Sequence, residues 1–142
     1  MNAAVNAFFL ILKLLSLYFL VVSLFSLCKR KMQKSSTTQR RFAVLIAARN
    51  EESCIAGLIE SLLAQNYPSE LFDIWVLPNN CTDHTADAAR HAGGKVLEMP
   101  TSIHSKGAAL QYAANTLLHG SRYYDAFCVF DADNEVDPAF LS

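Results

Sequence analysis

The sequence predicts an α/β fold built on a parallel sheet and preceded by one transmembrane helix. Three observations lead there: a long apolar run near the N-terminus, a basic cluster directly after it, and compact apolar runs that alternate with helical-period segments from residue 42 onward. The chain has 142 residues, 52% of them hydrophobic, and they are unevenly spread.

Residues 7 to 28 form the apolar run, with Lys13 as its only charge. About 20 apolar residues cross a bilayer as a helix, so the length fits a single span. A secretory signal peptide is the competing reading. It is disfavoured because no Lys or Arg precedes the run, the run is too long, and no small-residue cleavage site follows. Residues 29 to 41 then carry six basic groups (Lys29, Arg30, Lys31, Lys34, Arg40, Arg41) and no acidic one, whereas 13 acidic residues face five basic ones from Phe42 onward. The positive-inside rule therefore predicts a single-pass chain with its C-terminal domain in the cytoplasm. Beside a membrane helix the basic cluster reads as a headgroup contact, and no nucleic-acid partner is expected. The predicted division is a helix over 1–28, a basic linker over 29–41 and an α/β domain over 42–142.

The four cysteines, Cys28, Cys54, Cys81 and Cys128, include no CxxC pair. Neither a zinc site nor, in the cytoplasm, a disulfide is expected. Within the domain, FAVLIAA (42–48) reads as a strand buried on both faces. Ile55, Leu58, Ile59, Leu62 and Leu63 recur at helical spacing over 52–65. FDIWVLP (72–78) reads as a second strand stopped by Pro78. Thr82 or Asp83 can cap a helix that runs to about His91 and is ended by Gly93-Gly94. KVLEM (95–99) reads as a short third strand, 105–119 as a long amphipathic helix, and DAFCVFD (125–131) as a fourth, central-looking strand.

In open α/β sheets, ligands bind outside the carboxyl ends of the strands. Three polar clusters lie there: Ala48-Arg49-Asn50-Glu51 after the first strand, Asn79-Asn80 after the second, and Asp131-Ala132-Asp133 after the fourth. No loop is glycine-rich in the P-loop or dinucleotide sense. A carboxylate site repels a diphosphate unless a divalent cation lies between them, and Mg²⁺ or Mn²⁺ commonly bridges one or two carboxylates to substrate phosphates. Asp131 and Asp133 suit that task, although an Asp-x-Asp alone also fits a solvated acidic corner. Asn79 and Asn80 can pair with a nucleobase edge and Glu51 with a base or ribose, or they can serve ordinary turn and cap chemistry. Lys106 adds positive charge at the positive end of a helix dipole, a placement that makes sense beside an anion.

Taken in order and spacing, VLIAARNEE, WVLPNNCTDHTA, HSKGAALQYA and VFDADN resemble the family-2 glycosyltransferases of the GT-A fold, from about Arg41 to the C-terminus. The "NCTD" turn makes the membrane-anchored, cellulose-synthase-like and poly-N-acetylglucosamine synthase-like members the most similar. The resemblance implies a nucleoside site at Ala48, Arg49, Asn50 and Glu51. It puts Asn79, with Asn80, where the family has an aspartate that binds uracil, and Lys106 beside the donor. It makes Asp131 and Asp133 the Mn²⁺- or Mg²⁺-binding DxD, with Asp131 also near the sugar or ribose. The implied reaction moves a sugar from a nucleotide-diphosphate sugar, a UDP-sugar by expectation, to a saccharide or lipid acceptor with inversion.

Two substitutions depart from the pattern: Ala47 for a frequent proline, and Asn79 for the aspartate. No acceptor-side base is visible after the DxD, so the sequence reads as a truncated GT-A domain that holds the donor half, with its last strand leaving an open edge. The alternative is a non-catalytic nucleotide-sugar-binding or membrane-recruitment module that needs a partner. A nucleotidyltransferase would carry a Gly-rich basic loop after the first strand, which AARNEE is not.

Overall fold

The computed structural model describes residues 2–27 and 39–142. Cys28, the basic residues from Lys29 to Lys34 and most of the expected 29–41 linker lie outside the described residues. The chain divides into two compact units, Met1–Ser35 and Ser36–Ser142.

In the first unit a single helix, α1, spans Ala3–Leu27. Its sequence contains no Gly or Pro, so nothing interrupts the backbone ladder. Within it, Val5–Phe25 is long and apolar enough to cross a membrane. At 1.5 Å per residue these 21 residues extend about 30 Å, the thickness of a bilayer's hydrocarbon core. The side chains of Phe8, Phe19 and Phe25 stand outward.

The second unit is a four-stranded parallel sheet with strand order β3-β2-β1-β4, formed by β1 (Phe42–Ala48), β2 (Phe72–Pro78), β3 (Lys95–Val96) and β4 (Ala126–Asp131). Its helices are α2 (Ile55–Leu63), α3 (Thr85–His91) and α4 (Lys106–Leu118), with a 3-10 turn over Ser69–Leu71. Strand β1 is covered on both faces, which is why its sequence is a continuous apolar run. Val44, Ile46 and Ala48 join Ile55, Leu58, Ile59 and Leu62 of α2 and Ala89 of α3 in one core layer. Ala43 and Leu45 point the other way, to Ala113 and Leu117 of α4 and to Tyr124.

The expected strands 42–48 and 72–78 are reproduced end for end, and the others differ for identifiable reasons. β3 has two residues, not five. Its pairing continues only through Leu97 N to the Val76 carbonyl at 2.9 Å, and the next backbone nitrogen of β2 to face β3, that of Pro78, has no hydrogen to offer. α2 begins at Ile55 because residues 52–54 form a turn closed on the Glu51 carbonyl by Cys54 N and Ile55 N. α3 begins at Thr85 with His84 at the N-cap position, while Asp83 accepts from Thr85 N at 3.1 Å. Gly93 ends this helix at φ 95°. Gly94 lets the chain pass close between α2, α3 and the sheet, since a Cβ there would meet Ile59 at 3.0 Å, the Ala89 carbonyl at 3.1 Å and Val76 of β2 at 3.3 Å.

Among the described residues strand β4 pairs with β1 alone, so it forms the open edge that the sequence leads one to expect, with Val129 49% exposed. Beyond it, residues 132–142 turn back over α2. Ala132, Val136 and Leu141 enter the core layer, and Phe130 packs edge-on against Phe140 at 5.2 Å. Gln65 secures this return: its Nε2 donates to the Asp137 carbonyl at 2.7 Å and its Oε1 accepts from Leu141 N at 3.1 Å.

At the opposite end of the sheet from the polar loops, Asp73 on β2 is buried. Its carboxylate binds Lys95 Nζ at 2.7 Å and the Tyr124 hydroxyl at 2.6 Å, and lies 3.1 Å from Arg122 Nε. That last approach is off-line for a hydrogen bond and leaves Arg122 Nε without a linear partner. Burial pulls the Asp73 carboxyl upward. The bonds from Lys95 and Tyr124 and the charges of Lys95 and Arg122 outweigh it, so the group ends below its ordinary value. Burial, and after it the hydrogen bond to Asp73, push the Tyr124 phenol up.

Candidate functional site

The sheet order turns at β1, with β2 on one side and β4 on the other. A crevice opens outside the carboxyl ends at such a switch point. A cavity of about 450 Å³ lies there, lined by Ala47, Ala48, Arg49 and Glu51 after β1, Asn79 after β2, His104 and Lys106 at the start of α4, and Asp131, Ala132 and Asp133 after β4.

Seven of the nine residues singled out in the sequence thus share one wall: Ala48, Arg49, Glu51, Asn79, Lys106, Asp131 and Asp133. Asn50 and Asn80 stand outside it and shape it. Both hold left-handed backbone, at φ 58° and 51°, a conformation Asn tolerates better than most residues. Asn50 Oδ1 accepts from Thr82 N at 2.8 Å. Asn80 Nδ2 donates to the Ile103 carbonyl at 2.7 Å and to Asn79 Oδ1 at 2.9 Å. His104 is a wall residue that the sequence reading missed. Its signal was its place just before the Ser105 N-cap, whose hydroxyl accepts from Ala108 N at 3.2 Å and so fixes where α4 and its leading side chains begin.

The loops after β1 and β2 are stapled together. Glu51 N donates to Thr85 Oγ1 at 2.9 Å, Glu52 N to Asp83 Oδ2 at 3.2 Å, and His84 N to Glu52 Oε2 at 3.1 Å. Hydrogen bonds from Thr85 hold the Asp83 carboxyl below its ordinary value. Glu51 Oε2 accepts from the Cys54 thiol at 3.0 Å. That bond, then burial, then the negative charges of Glu51 and Asp133 push the Cys54 pKa up to about 11.

Electrostatically the wall holds Arg49 and Lys106 against Glu51, Asp131 and Asp133, two formal positive charges against three negative. Asp131 is ion-paired with the Lys106 ammonium, and Asp133 is exposed. Among the described residues no group of three or more His, Cys, Asp or Glu side chains is placed to hold a metal ion by itself. The donor set is therefore two hard carboxylates, one of them already facing a cation. That set fits a divalent ion whose remaining ligands come from substrate phosphates and water.

The family model for Glycosyl transferase family 2 matches residues 43–142. The chain belongs to this family of glycosyltransferases. Over 43 residues it is 40% identical to a beta-monoglucosyldiacylglycerol synthase of Nostoc sp. (strain PCC 7120), a match covering 30% of this chain and 9% of that protein. Over 51 residues it is 29% identical to the enzyme of the same name from Synechocystis sp. (strain PCC 6803), covering 36% and 11%. In structure it is similar to a mannosyltransferase from Pyrobaculum calidifontis solved with GDP-Man and Mn²⁺, with a TM-score of 0.68 at 20% identity over 82% of this chain and 34% of that one. It is also similar to glucosyl-3-phosphoglycerate synthase from Mycobacterium tuberculosis solved with Mn²⁺, UDP and glucosyl-3-phosphoglycerate, with a TM-score of 0.54 at 21% identity over 74% and 42%. These structural likenesses carry the GT-A fold. The matched part of the chain covers less than half of each of these proteins.

Proposed function

We propose that this chain binds the donor substrate of a membrane-anchored glycosyltransferase, which moves a sugar from a UDP-sugar to a saccharide or lipid acceptor with inversion. The observation that carries the reading is the convergence of Arg49 and Glu51, Asn79, Lys106, Asp131 and Asp133 on one cavity at the sheet's switch point. The family membership gives the reaction class. The names of the Nostoc and Synechocystis relatives support a lipid-linked acceptor, and α1 supports the anchor.

Asp131 and Asp133 are the residues that would hold Mn²⁺ or Mg²⁺. Such an ion supplies Lewis-acid neutralisation of the departing diphosphate. Lys106, freed from Asp131, offers its ammonium to the same phosphates from the first turn of α4, where the helix dipole adds to it. Arg49 and Glu51 face the nucleoside, and the staple to Thr85 and Asp83 keeps their loop in place before substrate arrives. Preorganised groups of this kind lower the reorganisation needed at the moment of bond cleavage.

Calorimetry on the detergent-solubilised chain with UDP, GDP and CMP, each with and without Mn²⁺, tests the reading. Tightest binding of UDP, and only with the metal, is expected. A preference for GDP would overturn the UDP assignment, and no binding of any of the three would overturn the donor-site reading.

A further inference from the structure

The side-chain amide of Asn79 has a fixed polarity, and its hydrogen-bond network sets it. Oxygen and nitrogen of an amide have nearly the same outline, so the partners decide which is which. Asn80 Nδ2 lies 2.7 Å from the Ile103 carbonyl oxygen, an atom that only accepts, so the Asn80 group there is the NH₂. Its second N–H points to Asn79 at 2.9 Å, and the Asn79 atom it meets is therefore the oxygen. This leaves the Asn79 NH₂ without a partner among the described residues, on a side chain 7% exposed in the cavity wall. The NH₂ is not sealed in the core. The lock is held in place by Asn80 at φ 51°, a conformation that costs free energy away from glycine.

Strand order places Asn79 two strands from Asp131 and Asp133, with β1 between. Two strand spacings are roughly 10 Å, about the length of a nucleoside. A diphosphate held at the two aspartates and Lys106 puts the base beside Asn79.

We propose that Asn79 donates a hydrogen bond to a carbonyl oxygen of the donor's nucleobase, and that Asn80 is the positioning residue that fixes this donor polarity. The inference rests on the nucleotide-sugar reading above and adds how the base is recognised. An aspartate at this position could only accept, from a ring N–H. Asn79 presents the opposite face and selects for a base oxygen.

The test is calorimetry of UDP with Mn²⁺ on the full chain and its variants. Asn79→Ala is expected to weaken binding by about tenfold for one lost hydrogen bond. Asn80→Gly keeps the left-handed backbone without strain and removes the lock. It is expected to weaken UDP by a few fold, and in its background Asn79→Ala is expected to cost less than in the wild type, because the amide is then free to turn over. That non-additivity separates positioning from a general structural role. Asn79→Ala leaving affinity unchanged, or a UDP analogue with both base oxygens replaced by sulfur binding as tightly as UDP, would overturn the donor assignment. Fully additive Asn79 and Asn80 effects would overturn the lock. A wild type that binds neither UDP nor GDP would overturn the nucleotide reading itself, an outcome distinct from both.

Discussion

The buried hydroxyl of Thr85 accepts the backbone N–H of Glu51 at 2.9 Å, joining the loop after β1 to the first residue of α3. Thr85 is fully buried, and its own hydroxyl proton goes to Asp83. One residue thus relays the position of α3 to the loop that carries Arg49 and Glu51. Thr85→Val keeps the shape and removes both bonds. It is expected to cost about 1–3 kcal/mol, the penalty of an unpaired buried polar group, and to weaken nucleotide binding, whereas Thr85→Ser retains most of both. Chemical denaturation with parallel calorimetry checks this.

The Cys54 thiol reports on Glu51. With its pKa raised from 9.0 to about 11, its thiolate population at pH 8 falls roughly a hundredfold below that of an unperturbed cysteine. Alkylation by iodoacetamide, followed at Cys54 by peptide mass spectrometry, is expected to be slow by a similar factor. Glu51→Ala removes the largest cause and is expected to speed it.

Asp73 anchors the far end of the sheet. Its carboxyl lies below its ordinary value, so the charged form is favoured by folding. The stabilisation is present at neutral pH and down through the ordinary carboxyl range near about pH 4, and it is lost as pH falls through the lower folded value. Asp73→Asn is expected to lower stability at pH 7 by about 1.5–3 kcal/mol, the worth of charged hydrogen bonds. It is also expected to flatten the acid limb of stability against pH. Denaturant midpoints from pH 2 to 7 check both.

Gln65 holds the segment after the DxD corner by two bonds to residues 137 and 141. Gln65→Leu leaves the Leu141 N–H and the Asp137 carbonyl unmet and is expected to cost about 1–3 kcal/mol. Hydrogen exchange is expected to rise over 134–142 and to spare β1 and β2.

Much of the fold is legible in the sequence because burial on two faces leaves a plain mark. FAVLIAA is an uninterrupted apolar run and FDIWVLP is one broken only by Asp73, and they are β1 and β2 residue for residue. Strand β3 is less legible because its length depends on a missing N–H at Pro78 in its neighbour, a property of register rather than of residues 95–99. The site is legible as types of residue at strand ends. What the sequence hides is which of them line the cavity: Asn50 and Asn80 carry the same chemistry as Asn79, and only backbone at φ 58° and 51° turns them into struts. His104 was hidden likewise, because its approach to the wall depends on Asn80 holding Ile103. The fold-back of residues 132–142 onto Gln65 is a contact between residues over 70 positions apart, and periodicity carries no trace of it.

In the proposed function Asp131 and Asp133 hold the donor's diphosphate through a divalent cation. Calorimetric titration of UDP into the wild-type chain and into Asp133→Ala, each with Mn²⁺ and with EDTA, tests it most directly. The account predicts binding only by the wild type with Mn²⁺, with at least a tenfold loss, about 1.4 kcal/mol, in EDTA or in the variant. UDP affinity unchanged by EDTA and by Asp133→Ala would contradict it.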